Sequence, residues 1–217
     1  MGKSYVVMLD GGFVRKCLQL SSGAGEAEHV SQPTCLDVLE HVRSLEAHAR
    51  LLALDRHRIY WHDAPPLSGR ERNPLSGERF DFTSHAEHSA NLQLQAALST
   101  SDDVAVRRGE AVFRGWRLRH RALVELAVAP RPLIGEDLVP NVEQKGVDLR
   151  IGLDIALLAV RRIVHVVVLV TGDSDLVPAM KLARREGLRV YLDRMGRPVK
   201  RTLLEHADYV FPSAPRR

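Results

Sequence analysis

Aspartates stand at three places in this chain where carboxylates could act together. Asp10 follows the apolar run SYVVML, and Asp173 and Asp175 follow the run IVHVVVLV, within VLVTGDSDLVP. Asp148 and Asp154 lie in QKGVDLRIGLDIA. Carboxylates that are held close together repel one another and raise each other's pKa, and a hard divalent cation such as Mg²⁺ removes that conflict. One or two such ions could activate a water molecule and hold a phosphodiester for in-line attack.

Short apolar runs that alternate with helical segments must position these carboxylates. The predicted strands are residues 4–9, 58–62, 163–170, 189–192 and 209–211. The predicted helices between them are residues 13–20, 35–54, 84–98, 147–160, 174–186 and 199–206. Strands that alternate with helices in this way predict an α/β fold with a parallel sheet covered by helices on both faces. In such folds ligands bind at the carboxyl ends of the strands, where Asp10 and the GDSD segment are expected.

Other segments are predicted to connect these elements. Residues 21–33 are rich in Gly, Ser and Ala and are interpreted as a loop, and Thr34 is expected to cap the helix over 35–54. Residues 63–82 contain several prolines and glycines and predict a long exposed loop. Residues 104–126 alternate in places and predict extended, hairpin-like structure, followed by a proline-rich connection over 130–140.

Each aspartate also has a purely structural interpretation. Asp175 could be a helix N-cap and Asp10 a turn residue, because aspartate is enriched at both positions. Asp154 could point to the site, or it could pair with Arg150 one helical turn earlier. Taken together, the strand-terminal positions of Asp10 and of the GDSD segment favour a site.

Positive charge is concentrated in two segments. The 217 residues carry a formal net charge of +4, but residues 181–217 are +6, residues 107–121 are +5 and the remainder is −7. Basic segments beside an acidic remainder suggest a polyanionic partner that is bound near carboxylates. A solvated, arginine-rich surface is the alternative explanation.

Composition excludes several classes of protein. The longest apolar run, residues 163–170, is too short to cross a membrane, so no membrane association is expected. Cys17 and Cys35 are too few for a disulfide framework or a four-cysteine zinc site, which makes a cytoplasmic location the expectation. The sequence lacks GxxxxGK[ST], so a P-loop ATPase is excluded. Among the ten histidines, His85 and His88 are three residues apart and His41 and His48 are two helical turns apart, but no nearby cysteine supports a zinc set, so surface or hydrogen-bonded histidines are expected. Trp61 is expected in the core.

Three segments carry a resemblance to a known family. VVMLDGGFV, KGVDLRIGLDIALLA and LVTGDSDLVPAMKLARREGLRVYL resemble the NYN domain, in its LabA-like group, a branch of the PIN-like nuclease superfamily. IYWHDAP also fits this pattern. The resemblance implies one domain over residues 1–217 with a PIN-like three-layer α/β/α sandwich, in which residues of about 63–140 match little and form an elaboration.

The same resemblance implies an activity and a set of site residues. The implied function is metal-dependent cleavage of RNA, with Asp10, Asp148, Asp173 and Asp175 as catalytic ligands of Mg²⁺ or Mn²⁺ and Asp154 as an accessory ligand. Lys145 is implied to contact phosphate. We further expect Thr171 and Ser174 to orient carboxylates or substrate, and the basic residues after the fourth predicted strand to contact the RNA backbone: Arg194, Arg197, Lys200 and Arg201. Many relatives carry Asn where this chain has Gly12, and PIN-like domains often form homodimers, which is a further expectation.

Two rival functions remain at this stage. The first is a catalytically weak or inactive module of the same fold that binds RNA or protein. The second is a different phosphotransfer enzyme. A Toprim domain would place Glu at the end of the first strand and a dehalogenase-type phosphatase would place DxDx[TV] there, whereas this chain has Asp10-Gly11-Gly12.

Overall fold

The computed structural model describes residues 2–21 and 32–212 of the chain. The predicted loop over residues 21–33 therefore lies almost entirely outside the described residues. The described residues form the following strands: β1 (Ser4–Asp10), β2 (Asp55–Asp63), β3 (Arg70–Arg72), β4 (Arg79–Asp81), β5 (Val104–Arg108), β6 (Glu110–Leu118), β7 (Leu138–Lys145), β8 (Val166–Val170), β9 (Arg189–Asp193) and β10 (Tyr209–Val210).

Helices connect most of these strands. The α-helices of the described residues are α1 (Gly11–Ser21), α2 (Cys35–Glu46), α3 (Ala86–Ser99), α4 (His120–Val128), α5 (Val147–Val160), α6 (Val177–Arg185) and α7 (Arg201–Glu205). Short 3₁₀ helices lie at Phe82–Ser84, Gly135–Asp137 and Ser174–Leu176. The last of these leads directly into α6.

Six parallel strands form the central sheet, in the order β10-β9-β8-β1-β2-β5. β1 and β8 occupy its middle, and all five residues of β8 are buried. Strands buried on both faces are continuous apolar runs rich in valine, and VVVLV is such a run. The prediction of an α/β fold with a parallel sheet is confirmed.

Helices cover both faces of this sheet, so the molecule has three layers. Val6 and Met8 of β1 pack in one apolar cluster together with α5, α6 and α7. Val7 and Leu9 point the other way, into a second cluster with α1, α2 and α3. Successive side chains of a strand point to opposite faces, which is why one strand supplies both clusters. The three-layer α/β/α sandwich is the PIN-like architecture that the sequence predicted.

The helix predicted over residues 35–54 is shorter than expected. Its start is confirmed: the Thr34 hydroxyl accepts from the Asp37 N–H, and the Asp37 side chain accepts from the Thr34 N–H, which is a capping box. Its end is wrong, because α2 ends at Glu46 and residues 47–54 form turns. Leu51 is buried and Leu52 is 70% exposed, so this apolar stretch does not continue one helical face.

Residues 63–140 are more ordered than the sequence indicated. The predicted loop over 63–82 contains the antiparallel hairpin β3–β4. The residues predicted as a hairpin over 104–126 instead separate: β5 joins the central sheet beside β2, β6 pairs with the distant β7, and α4 follows. The pairing of β5 with β2 and of β6 with β7 determines this arrangement. The local alternation of apolar and polar residues does not indicate which distant strand will be the partner.

No helix among the described residues is long and apolar enough to cross a membrane.

Candidate metal centre

The carboxyl ends of β1 and β8 meet at the middle of one sheet edge. Asp10 ends β1, and Thr171 follows β8, the strand paired with β1. Two hydrogen bonds hold the Asp10 carboxylate: the Phe13 N–H donates to Oδ1 at 3.1 Å, and the Thr171 hydroxyl donates to Oδ2 at 2.9 Å. Thr171 is fully buried, so it fixes the orientation of Asp10.

The GDSD segment forms a tight turn beside Asp10. The Asp173 N–H donates to the Thr171 hydroxyl at 3.1 Å, and the Asp175 N–H donates to Asp173 Oδ1 at 2.8 Å. Asp173 is thus the N-cap of the 3₁₀ helix Ser174–Leu176, a role that the sequence had offered for Asp175. Asp173 is half-buried, while Asp175 is exposed.

Four carboxylates are close enough to perturb one another. The pKa of Asp10 is raised to about 6: burial is the largest cause, the charges of Asp148 and Asp173 act in the same direction, and the two hydrogen bonds oppose them. Burial also raises the pKa of Asp148, with Asp173 and Asp175 adding to the effect. We call Asp10, Asp148, Asp173 and Asp175 the acidic cluster. Like charges in partly buried surroundings favour a bound cation.

The acidic cluster has the chemistry for a hard cation. None of its four carboxylates forms an ion pair with any Lys, Arg or His among the described residues. Carboxylate oxygens are the donors that Mg²⁺ and Mn²⁺ prefer. However, the described residues contain no group of three or more His, Cys, Asp or Glu side chains already arranged to hold a metal ion.

Asp154 differs from the acidic cluster because its carboxylate already has partners. Its carboxylate receives a hydrogen bond of 3.0 Å from His62 Nε2 and one of 3.2 Å from Arg107 Nε. Burial acts to raise the pKa of Asp154, but His62 and Arg107 outweigh burial and hold it below its ordinary value. The structure therefore does not support Asp154 as an accessory metal ligand, nor its pairing with Arg150, which donates to the Gly146 carbonyl instead.

The remaining predicted site residues divide by position. Thr171 contacts Asp10, and Ser174 lies between two members of the acidic cluster. Lys145 ends β7 and is exposed, three residues before Asp148. The four basic residues follow β9 at the carboxyl edge: Arg194, Arg197, Lys200 and Arg201. Arg194 donates to the Arg197 carbonyl, while Arg201 pairs with Glu205 in α7 and is 90% exposed.

Asp63 is a carboxylate at the same edge that the sequence analysis missed. It ends β2 and is fully buried. Arg15 Nε donates to its Oδ2 at 2.9 Å, and Gln144 Nε2 donates to its Oδ1 at 2.9 Å. The sequence places Asp63 at the end of the strand IYWHD, which could have identified it as a residue of this edge. The sequence could not show that Arg15 from α1 neutralises it. Asp63 therefore acts as a support rather than as a free carboxylate.

Gln144 also reaches the start of α1. A Cβ atom on Gly12 would lie 3.2 Å from Gln144 Oε1 and 3.7 Å from Asp10 Oδ1. Gly12 therefore lies beside both the Gln144 amide, from β7, and the Asp10 carboxylate. Nothing in the sequence indicated that β7 supplies an amide to this edge.

The histidines and tryptophans have mainly structural partners. His41 bonds to Asp193 at 2.8 Å and His48 to the Tyr209 hydroxyl at 2.9 Å. Trp61 is fully buried, as expected.

Comparison with solved structures shows the fold alone. A crystal structure of a protein of unknown function from Vibrio parahaemolyticus is similar, with a TM-score of 0.53 and 13% identity. The similarity covers 99% of this chain and 95% of that chain. No curated protein matches the chain significantly.

Comparison with protein families supports the resemblance seen in the motifs. The family model of the NYN domain matches residues 110–213. This range includes Asp148, Asp173 and Asp175, whereas β1 with Asp10 lies outside it, and the match begins within the segment expected to be an elaboration. Residues 110–213 of the chain therefore match the NYN domain family.

Proposed function

We propose that the chain is a metal-dependent ribonuclease that cleaves RNA by hydrolysis. One observation carries this proposal: at the carboxyl edge of the sheet, four carboxylates with no basic partner among the described residues lie close enough for their charges to raise the pKa of Asp10 and of Asp148. The NYN domain is a nuclease-like fold, which is consistent with this activity.

The acidic cluster would hold Mg²⁺ or Mn²⁺. When bound there, the cation would neutralise phosphate charge and lower the pKa of a water molecule. Because no three carboxylates in the described part of the chain are already arranged around one point, binding would draw these side chains closer together. Thr171 fixes the Asp10 carboxylate, and Asp173 is fixed by its cap to the Asp175 N–H.

Basic and polar groups near this edge would bind the RNA backbone. Lys145 and Ser174 flank the acidic cluster, and Arg194, Arg197 and Lys200 follow β9 at the same edge. Such contacts position the nucleic acid without reading its sequence. Arg201 contributes least, since Glu205 already neutralises it.

The reaction requires no side-chain nucleophile. A water oxygen forms a bond to phosphorus, the opposite ester P–O bond breaks, and one proton from the water reaches the leaving oxygen.

Cleavage of a mixed single-stranded RNA pool tests the proposal. Wild-type protein with Mn²⁺ is expected to cut, and Asp173→Asn is expected to lower the rate at least about 100-fold, because one negative ligand is lost. Asp102→Asn changes an exposed carboxylate outside the acidic cluster and serves as the control. RNA binding by wild-type protein without cleavage would identify a binding module instead.

We also propose membership of the LabA-like group and a cytoplasmic location. The first proposal is supported by KGVD and TGDSD at their present spacing. The second is supported by Cys17 and Cys35, which both lie in the described residues and form no disulfide. Fractionation of cells that carry a tagged chain tests the location, and recovery outside the cytoplasm would contradict it.

A further inference from the structure

A cleft opens beside the acidic cluster on the β2 and β5 side of the sheet. Its volume is about 390 Å³, within the range of small-ligand sites. Its walls come from the segment after β2, from the β3–β4 hairpin, from α3 and from the β6–β7 ribbon. Its lining includes Phe80, Phe82, Asn91, Val142, Gln144 and Arg15. We call this cavity the aromatic cleft.

Aromatic rings form one wall of the aromatic cleft. Phe80 contacts Phe82 edge to face with ring centroids 5.1 Å apart, and His85 stacks on Phe80 at 4.8 Å. Behind them, Trp116 contacts Phe80 at 5.9 Å and supports the cluster from β6. Flat π-faces at the wall of an open cleft can stack on another planar group.

Polar groups complement the aromatic wall. Asn91 is 8% exposed and lines the cleft. Its Oδ1 accepts from Gln95 Nε2, and no described residue accepts a hydrogen bond from its Nδ2. At the opposite side, Gln144 donates to Asp63 through Nε2 and keeps Oε1 as an acceptor. A planar ligand with donors and acceptors on its edge matches these groups.

Gln144 joins the aromatic cleft to the acidic cluster. Gln144 lines the cleft. A Cβ atom on Gly12 would lie 3.2 Å from Gln144 Oε1 and 3.7 Å from Asp10 Oδ1, so both oxygens lie beside Gly12. Arg15 lines the cleft as well and bonds to Asp63 at this boundary. A phosphate at the acidic cluster would therefore place an attached nucleotide at the mouth of the cleft.

Two arginines lie on the face of the hairpin opposite to Phe80. Arg72 and Arg79 lie directly opposite each other in the β3–β4 register, next to Phe80, and both are exposed. Like charges at opposite positions destabilise a hairpin, and no described carboxylate forms an ion pair with either side chain. A polyanion at this surface would relieve the repulsion.

We propose that the aromatic cleft binds an unpaired nucleobase of the RNA, next to the phosphate held at the acidic cluster; this rests on the proposed function. The base stacks against the aromatic wall that Phe80 and His85 form, and its edge contacts Asn91 Nδ2 and Gln144 Oε1. Sites for single strands use aromatic platforms on which bases stack, and the cleft has such a platform. A base inside a duplex cannot enter, so the cleft selects unpaired substrate.

Binding without metal isolates this proposal from cleavage. The full chain in EDTA is titrated with fluorescein-labelled decaadenylate, with its duplex with decauridylate, and with a ribose-phosphate decamer that lacks bases. Stacking on one platform predicts that the single strand binds about fivefold to about 150-fold tighter than the baseless decamer. The duplex is expected to bind like the baseless decamer.

Two variants assign the base-dependent binding to the cleft. Val142→Trp fills the cleft from an exposed position, and Phe80→Leu removes the ring but keeps an apolar side chain. Both are expected to bring the two decamers to within about twofold in affinity, if stacking on this wall is lost. Val128→Trp is the matched control, because Val128 is 83% exposed and lies outside the cleft. Circular dichroism verifies that each variant is folded.

The outcomes separate this proposal from the proposed function. Equal binding of the single strand and the baseless decamer, or equal effects of Val142→Trp and Val128→Trp, overturns the nucleobase site even when wild-type protein cuts RNA with Mn²⁺. Base-dependent binding that only Val142→Trp and Phe80→Leu abolish supports the site, even when no cleavage occurs and the nuclease proposal fails.

Discussion

Burial sets the chemistry of Asp10. The residue ends the central strand β1, and its carboxylate receives hydrogen bonds from the Phe13 N–H and the Thr171 hydroxyl. These bonds favour the charged form, yet burial outweighs them and raises the pKa to about 6. Ionisation of Asp10 therefore lowers the free energy of unfolding of the metal-free protein.

Asp10 should make the metal-free chain less stable as the pH rises. Its pKa is about 6 in the folded state against an ordinary value of 3.8, so its favourable contribution is present below about pH 4 and is lost as the pH rises through about 6. Asp10→Asn removes this dependence. In EDTA, the variant should gain up to about 3 kcal/mol over wild type between pH 4 and pH 8, measured by urea unfolding. Asp102→Asn should show no such gain, and a pH-independent difference for Asp10→Asn would contradict the assignment.

Arg15 should stabilise the fold through Asp63. Asp63 is fully buried, and loss of Arg15 would leave its charge with only neutral donors. Arg15→Met is expected to lower the free energy of unfolding by about 3 kcal/mol, measured by urea denaturation. Asp63→Asn should recover much of that loss in the double variant, because no buried charge then remains.

A surface pair provides the comparison for Arg15. Arg121 bonds to Glu125 at 2.7 Å, with 85% of the arginine side chain exposed. Arg121→Met should change stability little, since exposed ion pairs contribute little. Similar losses for Arg15→Met and Arg121→Met would show that burial of Asp63 is unimportant.

At the scale of elements, close packing at Gly11 determines how β1 is joined to α1. β1 ends at Asp10 and α1 begins at Gly11, where a Cβ would lie 2.7 Å from Asp63 and 2.8 Å from the Trp61 ring. Only glycine fits this approach of α1 to β2. The strand and the helix thus meet without a connecting loop, which places the first turn of α1 beside the acidic cluster.

The capping box of α2 should contribute measurably to stability. The Thr34 hydroxyl accepts from the Asp37 N–H at 3.3 Å, and α2 packs Val38 and Val42 in the core. Thr34→Ala is expected to lower the free energy of unfolding by about 1 kcal/mol in thermal or urea unfolding. Thr202→Ala, at an exposed position in α7, is the control. Equal stability of wild type and Thr34→Ala would show that the cap contributes nothing.

At the scale of the whole molecule, α5 exposes an apolar surface. Its inner residues Ile151 and Ile155 are fully buried in the core. Its outer face carries four large apolar side chains that are 45–66% exposed: Leu149, Leu153, Leu157 and Val160. A contiguous apolar surface of this kind is typical of a protein interface. The expected homodimer is not tested by the fold, and this surface is where we propose that a second copy packs.

A charge on the outer face of α5 should prevent the homodimer. Light scattering during gel filtration is expected to give twice the chain mass of 24.2 kDa for wild type and 24.2 kDa for Leu153→Glu. Leu52→Glu is the matched control, because Leu52 is 70% exposed and lies outside α5. A wild-type monomer, or a dimer that survives Leu153→Glu, would contradict this arrangement.

The sequence determined the layered fold and most of the acidic cluster. Runs such as VVVLV must be buried on both faces, and parallel strands place their carboxyl ends at one edge, so Asp10 and the GDSD segment had to meet. These conclusions follow from local pattern and from a topological rule. They needed no knowledge of which distant side chains touch.

Only the tertiary structure decided how each charge is used. Asp63 and Asp154 lie near the same edge as Asp10, yet Arg15 neutralises one, and His62 and Arg107 neutralise the other. Likewise, β6 pairs with β7 rather than with β5, and the resulting two-stranded ribbon places Gln144 between the aromatic cleft and Asp10. These pairings join residues far apart in the chain, and their energies depend on distance and burial, which exist only once the chain has folded.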